Sequence, residues 1–133
     1  MVSKYSLGII LQMPRAFVII LHTGFGEDHF DLMLESAGGT LRTWQVQRNC
    51  LALEPGETIP AARLADHRQA YLTYEGPVSQ GRGSVRRVCE GTVETLAESE
   101  GRLVMRLIPA NAQPTEFELV CRAGDDWVLT RRA

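Results

Sequence analysis

Two histidines and an aspartate, His22, His29 and Asp31, stand around one short glycine-bearing segment, Thr23–Asp28. An apolar run, Phe17–Leu21, leads into His22, and His29-Phe-Asp-Leu-Met-Leu-Glu35 follows the segment. Side chains of an extended strand alternate between faces, so Phe30, Leu32 and Leu34 share one face. His29, Asp31, Met33 and Glu35 share the other. A hairpin through Thr23–Asp28 returns His22 beside His29 and Asp31. Two imidazoles and one carboxylate form a usual donor set for a divalent transition metal. Histidines in strands are also commonly structural, and H-x-D pairs arise by chance, so spacing alone leaves both readings open.

His67, the third histidine, precedes Tyr71 in Asp66-His67-Arg-Gln-Ala-Tyr71. If the backbone between them is helical, the two side chains lie one turn apart on one face. Such a pair can bind a phosphoryl oxygen and donate a proton to a leaving group; a capping or packing pair is the competing reading. Gly81-Arg82-Gly83-Ser84 with Arg86 and Arg87 offers backbone N–H groups and guanidiniums to a phosphate. It is no P-loop, and no GxGxxG or Gly-x-Ser-x-Gly context is present. Cys50, Cys89 and Cys121 are dispersed and odd in number, which argues against a disulfide framework or a structural zinc site. Ordinary buried thiols in a reducing cytoplasm are the expectation.

The elements that must position these groups read as strands. After the opening hairpin and the Ala37–Gly39 turn, Thr40–Val46 alternates and is rich in β-formers. Asn49–Ala62, with Pro55-Gly56 and Pro60, reads as a long connection, and Ala61–Gln69 has a helix-compatible composition. Tyr71–Tyr74, Val85–Cys89, Gly91–Leu96, Arg102–Ile108, Thr115–Arg122 and Trp127–Arg131 read as short strands separated by turn signals. The prediction is an all-β fold, a small antiparallel β-barrel with at most one or two short helices.

The 133 residues fit one domain with a real core, and 44% hydrophobic against 23% charged residues marks a globular chain. A net charge of −2 provides no global basic field, so contact with nucleic acid has to be local. Thirteen of the fourteen basic residues are arginine, which would suit phosphate handling, although arginine usage alone points first to a compositional bias. The apolar Leu7–Leu11 is too short and broken to span a membrane, and no cleavage site follows it. Residues 1–12 are expected to be an extension or an edge strand, and residues 13–133 a single domain.

Three stretches resemble a known family. His29-Phe-Asp-Leu-Met-Leu-Glu35, Leu41-Arg-Thr-Trp-Gln-Val46, and Asp66-His67-Arg-Gln-Ala-Tyr71 with Tyr74-Glu-Gly76 are similar, in order and approximate spacing, to the 3′-phosphoesterase domain of bacterial DNA ligase D. That domain reads H-Y-D-x-R-L-E, L-x-S-W-A-V-P-K and E-D-H-P-x-x-Y-x-x-F-E-G. The resemblance implies a β-barrel with a polar cleft that binds Mn²⁺ or a similar divalent ion. It also implies trimming of nucleic-acid 3′ ends in nonhomologous end joining. Carried over by motif, His22, His29 and Asp31 are the metal ligands, His67 and Tyr71 the catalytic pair, and Arg48 the cation after the tryptophan motif.

Met33 stands where the family has arginine, which removes one phosphate-binding cation, and Arg82, Arg86 and Arg87 are the candidates to replace it. Seven positions separate His22 from His29, one more than is usual in the family. The implied protein is a cytoplasmic monomer without membrane contact, acting on 3′ ends beside separate ligase and polymerase repair proteins. The alternative is a catalytically weak relative that binds nucleic-acid ends or a repair partner.

Overall fold

A computed structural model describes residues 14–133. The expected extension or edge strand over residues 1–12 lies outside them. Among the described residues there are nine antiparallel strands: β1 (Arg15–Thr23), β2 (His29–Glu35), β3 (Leu41–Val46), β4 (Thr58–His67), β5 (Gly76–Pro77), β6 (Ser84–Ser99), β7 (Arg102–Pro109), β8 (Thr115–Ala123) and β9 (Asp126–Arg131). Their order is β1-β2-β3-β4-β9-β8-β7-β6, and β6 returns to pair with β1. Eight strands thus close a barrel, with the two-residue β5 appended to β6. Two 3-10 turns, Cys50–Ala52 and Gln69–Leu72, are the helical segments among the described residues, and no helix there is long and apolar enough to cross a membrane.

The opening apolar run is continuous because both of its faces are covered. Phe17 and Ile19 point into the barrel with Leu32, Leu34, Trp44, Met105, Leu107, Phe117 and Leu129. Val18 and Ile20 point outward, yet they are buried with Met33, Leu41 and Val85 beneath Tyr71, Leu72 and Val78. The chain between β4 and β6 is therefore an outer layer folded over β1 and β2. Met33, 1% exposed, belongs to an apolar seam rather than to a polar face.

β6 runs through what the sequence divides into two strands. Its first part pairs with β1 and its second with β7, with an extra residue, Val88, bulged opposite Ile19 and Ile20. Gly91 pairs with both Phe17 and Pro109 at the changeover. A Cβ there would lie 2.1 Å from the Ile108 carbonyl oxygen and 2.9 Å from Phe17 Cε1, so this crossing requires glycine.

Two other expectations are corrected. Ala61–His67 is strand, not helix: Ala61 and Ala62 are held by β9, and Ala62 to Leu64 by β3. Pairing on both sides overrides the helix preference of alanine, arginine and leucine. The connection preceding β4 accordingly ends at Glu57 instead of Ala62. Tyr71–Tyr74 is not a strand; Tyr71 and Leu72 belong to the 3-10 turn, whose residues pack inward on the seam. At the barrel mouth, the Arg63 and Arg42 guanidiniums lie 4.7 and 6.0 Å from the Trp44 ring centroid. All three thiols are free. Cys50 is buried, which pushes its pKa up to about 12, whereas Cys89 and Cys121 are only partly covered.

Candidate metal centre and cleft

The β1–β2 hairpin pairs His22 with His29 and Ile20 with Asp31, bringing the three candidate ligands to the end of the outer face. One donor atom from each lies within 4.8 Å of the others. His22 Nε2–H donates to the Arg82 carbonyl at 2.6 Å, and His29 Nδ1–H donates to the Glu27 carbonyl at 3.1 Å. In its neutral form each ring has its one proton held by the backbone, and the opposite nitrogen is then the free donor atom. Those nitrogens face Asp31: His22 Nδ1 is 4.0 Å from Oδ2, and His29 Nε2 is 3.4 Å from Oδ1.

Asp31 is 3% exposed, and its Oδ1 has no hydrogen-bond partner; the 3.4 Å approach of His29 lacks the alignment of one. Burial raises the Asp31 pKa above the ordinary carboxylate value, outweighing the pull that His29, His67 and His22 exert when protonated. Donor atoms that converge in this way are able to hold a cation between them. An imidazole pair with a carboxylate fits a divalent transition ion, and backbone carbonyls on the remote ring nitrogens are the usual orienting partners of such ligands.

Arg82 acts here through its carbonyl. Its guanidinium is turned back onto Ser79, donating to the carbonyl at 2.9 Å and to Oγ at 3.0 Å. The adjacent Gly83 makes this docking feasible, with φ of +77° and a hypothetical Cβ 2.1 Å from the Thr23 carbonyl oxygen. Gly83→Ala is expected to push the Arg82 carbonyl off His22 and weaken Mn²⁺ affinity roughly 10- to 100-fold, measured by isothermal titration. Unchanged affinity would remove the carbonyl from the support of His22.

Beside the three candidate ligands opens a cleft of about 450 Å³, lined among others by His22, Asp31, Met33, His67, Tyr71 and Arg82. His67 ends β4, and its Nδ1–H donates to the Ala65 carbonyl at 3.0 Å, leaving Nε2 uncommitted. Tyr71, from the 3-10 turn, meets the imidazole edge-on with ring centroids 5.5 Å apart. The expected neighbours do meet, through a strand end and a 3-10 turn instead of a helix.

The other candidate cations are placed elsewhere. Arg48 does not line the cleft and is ion-paired with Glu57. Arg86 is exposed on β6 and also lies outside the lining, while Arg87 pairs with Glu90 at 2.8 Å. Two lining residues were not legible as candidates. Arg68 follows His67 and has no ion-pair partner among the described residues. Phe25, on the β1–β2 loop, is 50% exposed. The Gly24-Phe25-Gly26 sequence was the available signal for it.

Together the fold and site define a closed β-barrel with a candidate His–His–Asp metal centre at an open cleft. Neither a protein-family model nor a curated protein matches this chain. The likeness to the ligase D domain therefore rests on its three motifs.

Proposed function

We propose that this protein is a divalent-metal-dependent phosphoesterase acting on the 3′ ends of DNA or RNA. Mn²⁺ is the ion the motif resemblance favours. In this reading it is a cytoplasmic monomer that prepares ends for separate ligase and polymerase repair proteins. One observation carries the reading: buried Asp31, whose Oδ1 accepts no hydrogen bond, faces two imidazoles whose other nitrogens are tied to backbone carbonyls, beside a cleft containing His67 and Tyr71.

His22, His29 and Asp31 would hold the ion, which when bound supplies Lewis acidity toward a phosphate oxygen. Water attacks phosphorus as the bond to the departing oxygen breaks, and the chain's own groups would handle the leaving oxygen and the phosphate charge. With Nδ1–H held by Ala65, His67 directs Nε2 to donate a proton to the departing oxygen. The Tyr71 hydroxyl donates to a phosphate oxygen, and its ring edge fixes the imidazole plane. Arg68 is the cation available to offset phosphate charge.

A second reading, a weak or inactive relative that binds ends or a repair partner, is favoured by Met33. Its apolar side chain forms part of the cleft where the resemblance implies an arginine. Purified protein with Mn²⁺ is expected to release phosphate from a 3′-phosphorylated primer and to trim a 3′-terminal ribonucleotide. End binding without turnover on either substrate would replace the enzyme reading with the second.

A further inference from the structure

Phe25 is unusual among the four phenylalanines. Phe17 and Phe117 are fully buried and Phe30 packs against the barrel core, whereas half of Phe25 is open to solvent. A single exposed apolar side chain is ordinary on a protein surface. This one lines the cleft and lies nearly parallel to the His22 ring, at 19° with centroids 6.2 Å apart. Gly24 and Gly26 flank it with φ of +78° and +68°, and the loop packs closely on Gly83, where a Cβ would lie 3.1 Å from Phe25 Cβ. The His22 ring beneath it is fixed in turn by the Arg82 carbonyl. The result is a flat apolar surface backed by one ring and open to the cleft.

We infer that Phe25 is the stacking platform for the terminal base, so that the cleft selects a phosphate carried on an intact nucleotide over one carried on an abasic sugar. The inference rests on the phosphoesterase reading of the cleft and adds to it a determinant of specificity. A terminal nucleotide carries its base one sugar away from its phosphate, and Phe25 lies directly against the ring of His22, a candidate ligand of the metal. Stacking on an aromatic side chain tolerates any base, because every base has a π-face. Selection between bases is therefore not expected; selection for the presence of a base is.

The test compares two oligonucleotides with Mn²⁺, one ending in an intact 3′-phosphorylated nucleotide and the other in a 3′-phosphorylated tetrahydrofuran abasic site. Wild type is expected to prefer the intact end about tenfold in kcat/KM. Phe25→Ala should bring that ratio close to one, Phe25→Leu should leave it there, and Phe25→Trp should restore it. A ratio unchanged in Phe25→Ala, or restored equally by leucine, overturns the platform while leaving the phosphoesterase reading intact. A 2-aminopurine at the 3′ terminus gives a readout that needs no turnover. Quenching by wild type and not by Phe25→Ala supports the platform even if no phosphate is released. Absence of quenching by wild type overturns it whatever the turnover.

Discussion

Asp31→Asn is expected to abolish Mn²⁺ binding while removing a pH-dependent weakness from the metal-free fold. The carboxylate is buried, and its folded pKa lies above the ordinary value because desolvation outweighs the pull of the three histidines. A carboxyl raised on folding weakens the fold as it ionises. The penalty is absent below its unfolded pKa of about 3.9 and grows as pH rises through the folded value. In EDTA, wild type should therefore lose stability over that window relative to Asp31→Asn, which has no such slope.

With Mn²⁺ the order reverses. An ion at one hundred times its Kd stabilises by about 2.7 kcal/mol, a rise in Tm on the order of 10 °C for a domain of this size. Only wild type should show it. Thermal melts of both proteins from pH 4 to 8, in EDTA and in Mn²⁺, read both effects. An equal Mn²⁺ shift in the two proteins would take Asp31 out of the ligand set. Parallel pH profiles in EDTA would refute the cost of burying its charge.

The barrel was legible in the sequence because turn signals recur between short β-rich segments. The opening hairpin was legible because alternation and one glycine-bearing loop fix its register. What escaped depended on pairing over long distances. Ala61–Leu64 carries helix formers, yet β3 and β9 lie on either side of it and supply its hydrogen bonds. The small side chain of Ala61 is suited to an interior shared with Trp44 and Trp127, whose rings meet edge-on 5.5 Å apart. No local pattern announces that arrangement.

The site divides in the same way. His22, His29 and Asp31 could be read because one hairpin carries all three. The contribution of Arg82 could not be, since it comes through a carbonyl delivered across the loop by Gly83. Arg48 stands at a motif position, and its pairing with Glu57 depends on how the β3–β4 connection folds. Met33 was legible as a missing charge, but its burial between Val18, Ile20 and Leu41 follows from an outer layer that no periodicity reveals.

His67→Ala separates the chemistry from the metal. His67 lies in the cleft but outside the cluster of three converging donors, so removing it should leave Mn²⁺ affinity within about twofold of wild type. Loss of a positioned general acid typically lowers kcat by about 10²- to 10⁴-fold, and a fall within that range is expected here. The Ala65 carbonyl holds Nδ1–H, which leaves Nε2 to deliver the proton, and the variant should lose the limb of the pH–rate profile on which a general acid is needed. Tyr71→Phe keeps the ring edge against the imidazole and removes only the hydroxyl, so its effect should be smaller and leave that limb in place. Phosphate release and calorimetric Mn²⁺ titration on the same preparations distinguish the outcomes. Loss of metal in His67→Ala would move His67 into the ligand set. Turnover at the wild-type rate would make the pair with Tyr71 a packing contact, and the proton for the departing oxygen would have to come from elsewhere.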